Sequence, residues 1–453
     1  MQKSLLYFSL VILAGISFIS CGDDECSAVC QANQVLDINC DCVDLNSSSC
    51  AGVTCEPGEI LTSDCECVTT GDQSEVIVSS NITSNETWTS DKIWILSSRV
   101  TVESGATLTI EPGTVIKGQA GQGTNATALL VARGARINAV GSANAPIIFT
   151  SVADEIVSGQ ISSPNLAPNT NGLWGGVMIL GYAPISADAE AVQIEGVPPS
   201  DQNGLYGGTD PLDNSGIFTY VSIRHGGTDI GEGNEINGLT LGGVGSGTII
   251  DHVEIVGNVD DGIEFFGGSV NCTNLLVMMQ GDDAFDGDQG YSGTVDNFVN
   301  IAGAASDHSL EFDGPEGMTD GSYTFVNGTC KGWNNIGRDG GEYADFRSDL
   351  RCSLSNVYFF NYSDSSDFEL DNDGVAANYF NGLITTSGLE FNVDHLSAGN
   401  LTCEDIMADK STAGDAFNQI NPGCNVVSSA TVGANTSEFH SWTWAHDSGL
   451  LDF

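Results

Sequence analysis

Between Asp260 and Asp371 the sequence repeats one phrase, in which an apolar residue sits between acids. The copies are Asp260-Asp261-Gly262-Ile263-Glu264-Phe265, Asp282-Asp283-Ala284-Phe285-Asp286-Gly287, Asp307-His308-Ser309-Leu310-Glu311-Phe312-Asp313 and Asp367-Phe368-Glu369-Leu370-Asp371. Carboxylates so arranged can hold a hard cation such as Ca²⁺, which takes oxygen ligands. They can share the acid and base work of cleaving a glycosidic bond. They can also simply turn corners, since Asp-Gly and Asp-Asp favour turns. The candidate Ca²⁺ set is Asp282, Asp283, Asp286 and Asp288, four carboxylates in one short run, joined by Glu264 and Glu311. This run lacks the alternation and terminal Glu of an EF-hand loop.

The first three copies begin at Asp260, Asp282 and Asp307. Such intervals match about one coil of a parallel β-helix, whose coils stack ~4.8 Å apart. Glu264, Asp286 and Glu311 would then form a ladder on one face. Two unit charges ~5 Å apart repel by about 1 kcal/mol in water and about 3 at an effective dielectric of 20. Such a ladder calls for cations, raised pKa values or an interleaved base. Arg347, following Asp345-Phe346 in the register otherwise taken by Glu311 and Glu369, is placed to neutralise it.

The elements that must position these groups read as strands. From Val76 onward, short β-branched segments such as Val100–Glu103, Thr114–Ile116, Val253–Ile255, Leu275–Val277, Asn297–Val299 and Val357–Phe359 are broken by Gly, Asn and Asp. Val253, Leu275 and Asn297 open three of them at an even spacing, again about one coil. No useful helical periodicity lies between them, which argues against βαβ units. A β-sandwich would place strands every ~8–12 residues and would not keep this longer motif spacing. The expected fold is all-β, a right-handed parallel β-helix preceded by small disulfide-rich modules.

The 453 residues include 56 Gly and 11 Pro, a turn-rich composition that also favours β structure. Sixty acids against 12 bases leave a formal charge of -48, which repels nucleic acid and anionic membrane. Adaptation to salty water and multivalent counterions both account for such a surface.

Residues 1–20 read as a signal peptide, with Lys3 ahead of an apolar run from Leu5 to Ile19. Phe18-Ile19-Ser20-Cys21 resembles a bacterial lipobox with Phe in place of the usual Leu, which makes Cys21 the expected lipidated residue. Gly22-Asp23-Asp24-Glu25 resembles the acidic run that marks surface export in Bacteroidota lipoproteins. The expected address is the outer membrane, facing outward, with the lipid as the only membrane contact. Residues 21–72 then carry two cysteine modules, Cys26/Cys30/Cys40/Cys42 and Cys50/Cys55/Cys65/Cys67, read as two-disulfide spacers. The β-helix is expected over 73–425 and a C-terminal cap over 426–453, with Trp442 and Trp444 closing the end of the core. Coil spacing suggests disulfides Cys330–Cys352 and Cys403–Cys424, with Cys272 a buried free thiol.

Val100-Thr-Val-Glu-Ser-Gly-Ala-Thr-Leu-Thr-Ile-Glu-Pro-Gly-Thr-Val-Ile-Lys-Gly118, Trp174-Gly-Gly-Val-Met-Ile-Leu-Gly181, Glu264-Phe-Phe-Gly-Gly268 and Trp442-Thr-Trp444 together resemble a family of surface and secreted Bacteroidota β-helix proteins. The resemblance covers most of residues 95–453 and implies the fold. A more local resemblance is to polygalacturonases. Asp260-Asp261-Gly262 and, one coil on, Gly281-Asp282-Asp283 stand where that family has its Asn-Thr-Asp-Gly and double-Asp motifs. It implies catalytic carboxylates Asp261, Asp282 and Asp283, with His308 one coil later and Arg347 as the nearest stand-in for an Arg-Ile-Lys motif. The Asn and Thr are missing, and Asp307-His308-Ser309 replaces Gly-His-Gly. β-Helix polysaccharide lyases pair Ca²⁺ with a proton-abstracting base, for which Arg347, Lys331 and Arg338 are the candidates.

The functional expectation is a lipid-anchored surface protein that binds extracellular glycan or an envelope component, with cations on its acidic face. A polysaccharide hydrolase or lyase is the alternative, and a structural shaft the third reading.

Overall fold

The computed structural model describes residues 73–231, 234–317, 319–334, 341–396, 401–407 and 423–453, and the backbone of four short strands nearer the N-terminus. Those four form two antiparallel hairpins, Gln34–Leu36 with Cys42–Asp44 and Glu59–Leu61 with Cys67–Thr69. The chain divides into two units, and the first hairpin belongs to the first of them. The second unit holds the other hairpin and the main domain. Cys21, Arg338 and the pairing of the N-terminal cysteines lie outside the described residues.

The main domain is a parallel β-helix built on a 15-stranded and a 9-stranded sheet. Each coil from Lys92 to Leu370 lends a strand to both, and each strand pairs in parallel with its counterparts in the neighbouring coils. Val253 aligns with Leu275, then Phe298, Gly328, Val357 and Leu389. The coil from Leu275 to Phe298 is therefore slightly longer than the coil before it. Asn297 is not the strand partner of Leu275 that an even spacing makes it.

Asn297 instead belongs to a bend. The strands Ile249–Val256, Asn271–Met278, Thr294–Ile301, Tyr323–Lys331, Cys352–Phe360 and Ile384–Asn392 each turn at one left-handed residue. These residues are His252, Asn274, Asn297, Asn327, Asn356 and Gly388, with φ between 52° and 62°. Asn tolerates that region because its short amide bonds locally, and Gly because it has no Cβ. Asn297 Nδ2 donates to Asn274 Oδ1 at 2.6 Å, so the bends also hold one another.

Inside the coils the alternate side chains make one continuous apolar core, rich in stacked rings such as Phe312 on Phe346 and Phe359 on Phe391. Cys272 is buried there as a free thiol. Cys330 and Cys352 are also free, contrary to the pairing expected from their spacing. Cys330 lies opposite Phe359, and Cys352 lies opposite Tyr323. The coil between these strands is a long one, which takes Gly328 on to Val357. Two thiols closer together in sequence than that coil fall at opposite ends of adjacent strands. Cys403 and Cys424 are bonded, with their Cα atoms 6.1 Å apart. Their bond ties the helix Cys403–Ile406 to the strand Cys424–Val426 rather than joining two stacked strands.

The closing Trp residues also depart from expectation. Trp442 and Trp444, with Phe439 and Leu451, lie on outward apolar residues of the 15-stranded sheet, including Val256, Leu276, Met278 and Val299. They cover the flank of the sheet instead of plugging the end of the core. The Ala445 N–H anchors this segment by donating to buried Glu254 at 3.0 Å. Near the C-terminal end the main core is completed by the helix Asp373–Phe380, which buries Val375, Ala376 and Tyr379, and by Val393, Leu396, Ile406 and Met407. Its N-cap, Asn372, accepts from the N–H groups of Gly374 and Val375.

Candidate functional site

The acidic phrases fall on the nine-stranded sheet. In Ile263–Phe266, Phe285–Asp288, Leu310–Phe312, Ala344–Phe346 and Phe368–Leu370 the apolar members of each phrase enter the core. Side chains alternate along a strand, so the acids between them must point outward. Glu264 pairs with Asp286, Asp286 with Glu311, Glu311 with Asp345, and Asp345 with Glu369. The ladder thus has five rungs. Asp345, not Arg347, holds the register position between Glu311 and Glu369; Arg347 lies just beyond it on the same chain segment.

These outward carboxylates are poorly exposed. Glu264, Asp345 and Glu369 are buried, and Asp286 and Glu311 are half-buried. Beyond the first rung, residues of the excursion between 181 and 215 cover the sheet, with Ile185, Ile194, Val197 and Tyr206 packing on Met178, Leu180 and Phe266. Asn237 Nδ2 donates to Glu264. The Asp286 Oδ1 atom is buried and has no hydrogen-bond partner.

A second acidic column runs through the turns that precede these strands. Asp261 Oδ1 accepts the Asp283 N–H at 2.9 Å, and Asp283 Oδ1 accepts the His308 N–H at 2.7 Å. Asp261 and Asp283 therefore each fix the start of the next coil. Asp283 Oδ1 also meets His308 Nδ1 at 2.9 Å, while His308 Nε2 lies 3.7 Å from Glu342.

The two columns merge. Asp260/Asp261/Asp282, Asp261/Glu264/Asp286, Asp286/Glu311/Asp313, Asp283/His308/Glu311 and His308/Glu342/Glu369 are groups whose ligand atoms lie within 4.8 Å of one another. Successive groups share members, giving one connected field of carboxylate oxygens with the His308 imidazole among them.

The electrostatics follow from burial among like charges. Burial, then the neighbouring Asp282, lifts Asp260 to about 7. Burial and Asp283 lift Asp282 to about 6. Burial and Glu316 bring Asp288 to about 7. Burial raises Asp313 to about 6, and burial with Asp367 raises Glu342 to about 8. Asp261, Glu264 and Asp286 are pushed well above the usual carboxylate range, by burial first and adjacent carboxylates second. His308 moves to about 9: burial opposes its charge, but the hydrogen bond and charge of Asp283 outweigh burial.

This coiled architecture has relatives. Residues 80–447 match the pectate-lyase-like β-helix domain family. The chain belongs to that family. No curated protein matches the chain. Among solved structures, the enzymatically active domain of bacteriophage CBA120 tailspike protein 2 is 11% identical, with a TM-score of 0.22. The match covers 79% of this chain and 42% of the tailspike chain, so this chain corresponds to less than half of that protein.

Within this pectate-lyase-like domain, the residues expected from the polygalacturonase resemblance do come together. Asp261 and Asp283 are buried and engaged with backbone N–H groups, whereas Asp282 is exposed. Arg347 is held by Glu311, with Asp313 at 3.7 Å and Asp345 at 3.9 Å. A guanidinium so engaged neutralises the ladder and is poorly suited to abstract a proton. Lys331 lies on the other sheet, at the end of the strand Tyr323–Lys331, with its Nζ 5.4 Å from the ring centre of Phe453. Glu342 and Asp345 are site residues that the repeated phrase does not announce. Glu342 stands outside the phrase and joins through its bridge with His308. Asp345 lacks the second acid of the other copies, because Arg347 stands in its place.

Proposed function

We propose that this protein is a lipid-anchored β-helix on the outer face of a bacterial outer membrane that binds extracellular polysaccharide along its carboxylate ladder, with Ca²⁺ among the ladder oxygens. The observation that carries this reading is the five-rung register, with the partnerless Asp286 Oδ1 on its second rung. A buried carboxylate oxygen without a donor costs free energy unless a proton or a cation meets it. The donor set suits Ca²⁺, a hard cation with ligands at ~2.3–2.6 Å. Two ligands on opposite sides of such an ion lie about as far apart as the 4.8 Å within which the donor groups fall. Asp261, Glu264 and Asp286 would hold the ion, whose charge would let an anionic polymer approach a face that otherwise repels it. Five rungs span roughly 19 Å, a length that suits a chain ligand over a compact one.

The test is thermal unfolding of the full chain in EDTA and in Ca²⁺, with metal content measured on the same sample. At a hundredfold excess of Ca²⁺ over its Kd, the midpoint should rise by about 3 °C. Pectate and other anionic polysaccharides should then bind in Ca²⁺ and be released by EDTA. Absence of both metal and shift would overturn the cation reading.

A hydrolase using Asp261, Asp282, Asp283 and His308 is the second reading, favoured by one observation. Asp282 is the exposed member of the set and is lifted to about 6, suited to a proton donor near neutral pH. On that reading, reducing ends accumulate from a bound polymer and Asp282→Asn abolishes their release while polymer binding survives.

A further inference from the structure

A cavity of about 410 Å³ opens on the 15-stranded sheet, away from the carboxylate ladder. One side is the bend column, through Asn274, Asn297 and Asn327, together with Asp296; the other is the C-terminal segment, through Asn435 and Glu438. The two sides are joined by a reciprocal pair of bonds. Asn297 Oδ1 accepts the Asn435 N–H at 2.6 Å, and Asn297 Nδ2 donates to the Asn435 carbonyl at 3.2 Å. Gly433, at φ 132°, completes the wall, where a Cβ would press on Thr329 Oγ1 at 2.7 Å.

The lining contains carboxylates, amides, one hydroxyl and a glycine, with neither a basic side chain nor an aromatic ring. Anions are therefore repelled, and an apolar ligand would strand polar groups. Two carboxylate–amide pairs stand at the walls. Asn327 Nδ2 donates to Asp296 at 2.7 Å, and Asn435 Nδ2 donates to Glu438 at 3.1 Å. A carboxylate can accept about four hydrogen bonds and an amide can donate two. Each pair thus keeps an acceptor and an N–H side by side, the complement of a vicinal diol. The volume lies within the ~300–1,000 Å³ of small-molecule sites.

We propose that this cavity is a second ligand site, for a neutral mono- or disaccharide whose vicinal hydroxyls pair with Asp296/Asn327 and Glu438/Asn435. It is independent of the ladder and of Ca²⁺. The test is saturation-transfer NMR on the full chain in EDTA, with glucose, galactose, mannose, N-acetylglucosamine and their common disaccharides as probes. At least one sugar should bind. Its affinity should fall about tenfold in Asp296→Asn and in Glu438→Gln, the loss expected for one charge-assisted hydrogen bond. Asp286→Asn, on the ladder, should bind it as the parent does. Glu438 is substantially exposed, so Glu438→Gln keeps the test open if Asp296→Asn folds poorly. Lack of binding across the panel, binding unchanged by both cavity variants, or binding lost in Asp286→Asn would each overturn the proposal.

Discussion

Asp286 shows how one residue can be costly to a fold and useful to a site. Its carboxylate is hemmed in by Glu264 and Asp261, and one oxygen has no donor. Asp286→Asn keeps the shape, removes the like-charge repulsion and removes an ion ligand. In EDTA the variant should melt at or above the parent temperature, while its gain from Ca²⁺ should be cut by at least half. A variant that melted lower in EDTA and kept the full Ca²⁺ gain would make Asp286 a structural residue only. Arg347 and His308 are the opposite case, since their positive charges offset the carboxylates beside them.

At the scale of the element, the bend column decides how far the coils can stay in register. Asn356 adopts φ 57° and donates to Asn327 Oδ1 at 3.2 Å, while Gly388 takes the same bend in the next strand. A β-branched residue is strained in that region by about 1–2 kcal/mol, and glycine is not. Asn356→Val should therefore lose about that much stability, and Asn356→Gly should stay within about half a kcal/mol of the parent, by urea unfolding. Equal stability of the two variants would show that the bend imposes no backbone demand. The same column explains the cavity: it aligns asparagine side chains in one row across the sheet, and the C-terminal segment docks against them.

For the whole molecule, the ladder makes stability depend on pH. Asp260, Asp282, Asp288, Asp313 and Glu342 have folded pKa values of about 7, 6, 7, 6 and 8, above those of unfolded carboxylates near ~4. The folded chain therefore binds more protons than the unfolded chain between those limits, and stability falls as pH rises through them. His308, raised to about 9 from an unfolded value near ~6.5, acts in the same direction at higher pH. In EDTA the melting temperature should decline from about pH 4 to pH 9, and saturating Ca²⁺ should flatten the decline above pH 6. A melting temperature that rose across that range in EDTA would contradict this account of the acidic field.

The sequence by itself determined the coil architecture and the outward row at Glu264, Asp286 and Glu311. A strand with apolar residues on both sides of an acid has one way to bury the former, and similar coil lengths put successive acids in register. The same spacing argument failed at Cys330 and Cys352, because one longer coil shifts every later residue and no local pattern reports its length. It also misplaced Trp442 and Trp444, whose partners are outward residues of strands much earlier in the chain. Only the tertiary structure decided which acids are buried, that Asp261 and Asp283 hold backbone N–H groups, and that Asp345 rather than Arg347 occupies the ladder. Those outcomes depend on long-range packing between coils and on the loops that cover them, contacts that the order of residues along the chain does not display.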